Sequence, residues 1–247
     1  AAQTINIEQT GATNVLALGV NSTQGGLVQG YANIGVNLNY QVSGGGNTGY
    51  ININNNGTGT ATGNVVSFIQ SGGGATTTLN MTGTSNQLTV GTSGGANNTF
   101  TGTINADETV ATVSQTGGGG NNTTLNMTGN KGQVSLTTVG ATNTTSVTQS
   151  AYGVTGAQAI INITGSGNNT DITQTGGYDH YANLTVTGSG NGITLAQTGG
   201  SATGHHTTMT VTGSTNTIGI TQQGSVSNLT NLAISGSGNT YTILQKN

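Results

Sequence analysis

The chain has 247 residues but only two Lys or Arg and five Asp or Glu, for a net charge of −3; ordinary globular chains are about a quarter charged. Two basic side chains leave no electrostatic case for nucleic acid or an anionic membrane, and no stretch reaches the ~20 apolar residues of a membrane helix. With no Cys there is no disulfide scaffold, thiolate metal site or Cys nucleophile, and 45 Gly without Pro or a three-residue period exclude collagen.

The chain opens Ala1-Ala2-Gln3, which suits a mature product after signal-peptide removal at a small-residue site and gives an expectation of secretion. Gln3, Ile5, Ile7 and Gln9 then alternate with the parity of a strand, followed by the Gly11-Ala12-Thr13-Asn14 turn. Between about 30 and 64 the phase is lost: Ile34, Val36, Leu38 and Tyr40 alternate, but no Asn and Gln match them, and Asn54 to Gly59 reads as an inserted loop. Downstream, strand pairs flank a corner residue. Asn64 leads to Val66, Phe68 and Gln70. Asn86 separates Leu79/Met81 from Leu88/Val90, with Thr92 in the Gln slot. Thr109 does the same for Ile104, Ala111, Val113 and Gln115, and Gly132 for Leu125/Met127, Val134/Leu136 and Thr138. Asn143, with Val147 and Gln149, reads as an extra half-coil.

From 157 to 247 the pattern becomes a regular repeat. Its Asn stands at Asn168, Asn191, Asn216 and Asn239, in steps of 23, 25 and 23 residues. Such a period means one supersecondary unit stacked into an array. Ahead of each Asn come Ile161/Ile163, Leu184/Val186, Met209/Val211 and Leu232/Ile234. After it come Ile172, Leu195, Ile220 and Ile243, and then Gln174, Gln197, Gln222 and Gln245. The apolar sites differ by two, the periodicity of strands, and no helical period appears. Each Gln shares the parity of the apolar sites and so points inward. A lone buried amide is costly, but identical amides stacked coil upon coil bond one another as in cross-β ladders. The corner Asn can do likewise and tolerates left-handed backbone. The expected fold is an all-β, single-domain solenoid over 1–247, of about ten parallel-stacked strand-turn-strand coils with Asn and Gln ladders. At ~4.8 Å per coil the rod is roughly 50 Å long.

The segments 165–174, 188–197, 213–222 and 236–245 carry Gly-x-Gly/Thr-Asn with Gln six residues after the Asn. This resembles the curlin repeat of bacterial curli fibres. The chain departs from that pattern at Ile163, Val186, Val211 and Ile234, where curlin repeats carry a further Gln, and at Thr170, Ile193, Ile218 and Tyr241, where they favour Ala. The resemblance implies a divergent member or analogue: a secreted, self-assembling fibre subunit at the cell surface or outside the cell, with no catalysis and no cofactor.

Terminal coils that keep the interior pattern lack a neighbour on one side, whereas soluble solenoids carry polar caps. Ile5, Ile7 and Gln9 at one end, and Leu232, Ile234, Tyr241 and Ile243 at the other, are the candidate polymer interface. Two open ends on one chain form a head-to-tail pair that generates a homopolymer. Residues 1–10 could instead donate a strand to a neighbour, although pairing within their own chain is the simpler reading.

The chemically suggestive residues are read as structural. His205-His206 and Tyr178-Asp179-His180-Tyr181 are expected at exposed loop tips rather than in a metal site, since no ligand spacing is present. Asp107-Glu108 is a solvated corner pair without a second acidic cluster for glycoside hydrolysis. Two other readings compete with the filament. One is a solenoid segment of a phage fibre or adhesin. The other is an ice-binding face built on Thr185, Thr187, Thr210 and Thr212.

Overall fold

The computed structural model describes residues 4–10, 15–19, 37–43, 48–54, 65–71, 76–82, 87–94, 97–105, 110–128, 131–150, 156–177, 179–199 and 203–247. Every regular element in them is a strand. In chain order these are β1 (Thr4–Thr10), β2 (Val15–Gly19), β3 (Asn37–Ser43), β4 (Thr48–Asn54), β5 (Val65–Ser71), β6 (Thr76–Thr82) and β7 (Gln87–Ser93). Next come β8 (Thr99–Asn105), β9 (Val110–Thr116), β10 (Asn122–Met127), β11 (Gln133–Val139), β12 (Thr144–Ser150) and β13 (Gln158–Thr164). The last are β14 (Asn169–Thr175), β15 (Tyr181–Thr187), β16 (Gly192–Gly199), β17 (His206–Thr212), β18 (Thr217–Gly224), β19 (Leu229–Ser235) and β20 (Thr240–Lys246).

Odd-numbered strands form one ten-stranded sheet and even-numbered strands a second, each in chain order. All pairings are parallel. Every circuit of the chain therefore lays one strand on each sheet, which makes the molecule the expected β-solenoid. From β9 to β20 six circuits are described through to the strand side chains. There burial alternates along the strands of the inner circuits, as in Gln158–Thr164 and Asn169–Thr175. β-branched residues are frequent on both faces, which suits a pleated surface packed on one side, and the absence of Pro leaves every ladder donor in place.

The core lies between the two sheets. Ile161, Leu184 and Met209 stack on the first sheet, and Ile172, Leu195 and Ile220 on the second, all buried. Between the sheets the chain turns through Gly-x-Gly-Asn. Gly165 has φ +135°, and a Cβ there would fall 1.8 Å from the Gly188 carbonyl oxygen. Backbone hydrogen bonds such as Gly188 N–H to Thr164 O (2.9 Å) hold the corners of successive circuits together.

Two upstream expectations are corrected. The segment from 30 to 64 contains two ordinary strands, β3 and β4, each paired on both sides in its sheet. What hid them is substitution: Val42 and Ile53 stand at register positions that hold Gln in other circuits. The strands that follow Asn64, Asn86, Thr109 and Gly132 belong to the odd-numbered sheet, half a circuit out of phase with the strand after Asn168; Asn64, Asn86 and Thr109 themselves lie outside the described residues. Leu79/Met81 and Leu88/Val90 stand on successive strands of different sheets, β6 and β7.

Candidate functional site: the amide ladders and the outer coil

The most highly built feature of the interior is polar. Gln174, Gln197 and Gln222 are each 0 % exposed although they carry a full amide. Register stacks them directly, Gln149 on Gln174, Gln174 on Gln197, Gln197 on Gln222 and Gln222 on Gln245. Nε2 of each donates to Oε1 of the next toward the C-terminus, at 2.8, 2.8, 2.8 and 2.9 Å. The second Nε2 proton goes to backbone across the core, as from Gln174 to Gln158 O and from Gln197 to Tyr181 O (both 3.0 Å). The ladder begins where Met127 replaces Gln beneath Gln149. There Gln149 Oε1 has no partner among the described residues.

The Asn ladder runs with the opposite polarity. Asn191 donates both its backbone N–H and Nδ2 to Asn168 Oδ1 (3.0 Å each), and its other Nδ2 proton to Gly213 O (2.9 Å). Asn216 and Asn239 repeat the first two bonds one circuit further on. The interior Asn side chains thus use both protons and both lone pairs, so burial leaves nothing unpaired.

This ladder extends further upstream than the repeat suggested. Asn143 and Asn168 make the same pair of bonds, and Asn143 rests in turn on Asn121. Asn121 N–H donates to Asn98 Oδ1 (3.0 Å). Asn143 is therefore a full member of the ladder and no half-coil. The repeat does not reveal Asn98 and Asn121 because the strands after them, Thr99–Asn105 and Asn122–Met127, carry Ile104 and Met127 where later ones carry Gln. The upstream polar residues Gln70, Thr92, Gln115 and Thr138 share one register column, but on the odd-numbered sheet. Beyond Thr138 that column becomes Ile163, Val186, Val211 and Ile234.

The expected exposure of the histidines is overturned for two of the three. His180 and His205 are both 0 % exposed. They stand immediately before β15 and β17, at the corner opposite the Gly-Asn turn, and hydrogen-bond the circuits together as the Asn ladder does. The available signal was their phase, each one residue ahead of a strand and 25 residues apart. His206 points outward, is half-buried, and lies beside Tyr181 with ring centroids 5.9 Å apart. Tyr178 and the Asp107-Glu108 pair lie outside the described residues. Among the described residues no three His, Cys, Asp or Glu cluster as metal ligands would. Thr185 and Thr187 are in register with Thr210 and Thr212 on the outer face, flanked by Asn162 and Ala233.

At the outer circuit, β19 and β20 are the last strands of their sheets. The interior pattern persists there without a covering layer among the described residues. Tyr241 is 40 % exposed, whereas Ile218 beneath it is buried. Leu232 and Ile243 are only partly buried against the core, and Asn239 and Gln245 are likewise half-buried. Leu229 and Leu244 add exposed apolar surface at the same circuit. At the other extreme β1 is the first strand of its sheet and pairs with β3 of its own chain, the simpler of the two sequence readings. By register Gln9 shares the column of Val42 and Gln70. The side chains of Ile5, Ile7 and Gln9 lie outside the described residues. No family model, curated protein or solved structure matches the chain.

Proposed function

We propose that this chain is the structural subunit of a self-assembling extracellular filament, in which copies add head to tail through their end circuits. One observation carries the reading: the circuit of β19 and β20 keeps the full interior complement of apolar columns and amide ladders, yet leaves Tyr241 and Ile243 uncovered and Asn239 and Gln245 as last rungs. An uncovered sheet edge with unspent N–H and C=O groups is a template for another strand. A second copy presenting its first circuit would supply hydrogen bonds and burial together, and the contact is heterologous and so propagates. The very low charge fits a chain whose outer strands are meant to associate. The curlin-like spacing of Asn and Gln adds the expectation of secretion and a surface or matrix role.

The test is polymerisation followed by light scattering and negative-stain microscopy. Tyr241→Asp with Ile243→Asp places two charges on the exposed circuit without touching the inner ones. Loss of filaments, with the strand signal of the monomer retained, is the expected result. A wild-type chain that stays monomeric at high concentration, or a double variant that polymerises as before, would refute the proposal.

A further inference from the structure

The corner opposite the Gly-Asn turn is held by imidazoles rather than amides. Nδ1 of His180 accepts the backbone N–H of His205 at 3.0 Å, and Nδ1 of His205 accepts that of Asn228 at 3.1 Å. A backbone N–H can only donate, so Nδ1 is the unprotonated nitrogen of each ring. Nε2 then carries the proton and donates to Gly176 O from His180 (2.6 Å) and to Thr198 O from His205 (3.1 Å). The two rings stack with centroids 5.2 Å apart and planes 25° apart. In effect each neutral imidazole reproduces what Asn168 does at the other corner: it accepts an N–H from the next circuit and donates to a nearby carbonyl. Asn228 then follows the two histidines in the same column. An amide does not titrate near neutral pH, whereas an imidazole does.

We propose that the His180–His205 pair is an acid-sensitive lock, in which protonation turns each Nδ1 from an acceptor into a donor facing a backbone N–H and opens this corner while the Gly-Asn corner stays closed.

Asp179 precedes His180, and its Oδ1 accepts the Gly156 N–H one circuit back. Lys131 belongs to the same corner, ahead of β11. Tyr181 and His206 lie on the outer face, and the partners of the two Nε2 atoms are backbone carbonyls, of Gly176 just after β14 and of Thr198 in β16. Burial, opposed by the carbonyl of Gly176 and reinforced by the neighbouring His205, holds His180 below its ordinary value of 6.5. The sign follows. Below 6.5 the unfolded chain binds a proton that the folded chain refuses, so stability is full above that pH and declines as pH falls from 6.5 toward the lowered folded value.

Amide hydrogen exchange on the full chain at about pH 7.5 and about pH 5 tests the lock across the imidazole range. After correction for intrinsic rates, protection at the His205 and Asn228 amides should fall at least tenfold in acid. That at Asn191 and Asn216, whose N–H groups bond to amide oxygens, should hold. His180→Asn with His205→Asn, which extends the Asn228 side-chain type down the column, should keep the corner closed at both pH values. Unchanged protection, or an equal loss at both corners, would overturn the proposal. If the double variant does not fold, imidazole nitrogen shifts of the wild type decide: a His180 ring protonated at Nε2 and titrating below 6.5 supports it, and one titrating at or above that value refutes it.

Discussion

A buried Gln is tolerated here because of where its neighbours are. Gln197 satisfies its amide with Gln174, Gln222, Tyr181 O and His205 O, so its removal orphans groups on both sides. Gln149 stands at the ladder's start with Oε1 already unpaired and Met127 beneath it. The same substitution should therefore cost different amounts at the two sites. Unpaired buried polar groups cost about 1–3 kcal/mol each. Gln197→Met should destabilise by about 2–4 kcal/mol, and Gln149→Met, which moves the ladder's start up one circuit, by about 1 kcal/mol or less. Equilibrium denaturation of both variants measures the difference; equal costs would mean that the ladder's continuity carries no weight.

At the scale of the element, strand parity and the Gly-Asn corner were legible because they depend on short-range rules: alternation for the buried face, and Gly where the backbone must pass at close range. Gly188 shows the second rule. Its φ is +130°, and a Cβ would lie 1.9 Å from the Gly213 carbonyl oxygen. Left-handed backbone alone costs about 1–3 kcal/mol for other residues, and the clash adds to it. Gly188→Ala should thus destabilise by about 3 kcal/mol or more, whereas Gly219→Ala, on a strand with open space around its Cβ position, should be nearly silent; thermal unfolding compares them. What the sequence did not disclose was phase. Both corners of a two-strand circuit separate alternating strands, so Asn86 and Gly132 look like Asn168 until the pairing is known. The histidines were misjudged for a related reason. A polar residue one step outside a strand is usually solvated, and only the stacking of circuits turns it inward.

For the whole molecule, the hydrogen-bonding interior is not uniform along the stack. The columns that contain the Gln residues are polar on the odd-numbered sheet at Thr92, Gln115 and Thr138, and on the even-numbered sheet from Gln149 onward. Gln115 and Gln149 each keep an unpaired Oε1 among the described residues where their runs are interrupted. The strands from β12 to β20 carry the uninterrupted run, and the outer circuit holds its last rung. Both the stability of the stack and the proposed growth of a filament depend on side-chain amides one circuit apart being bonded to each other. Magnetic resonance of the assembled chain labelled at Gln side chains reads this directly. Cross-peaks should link Gln174 to Gln197 and Gln197 to Gln222, at the ~4.8 Å spacing of adjacent strands, with their Nε2 protons shielded from exchange. Rapidly exchanging Gln amides with no mutual contacts would contradict the account.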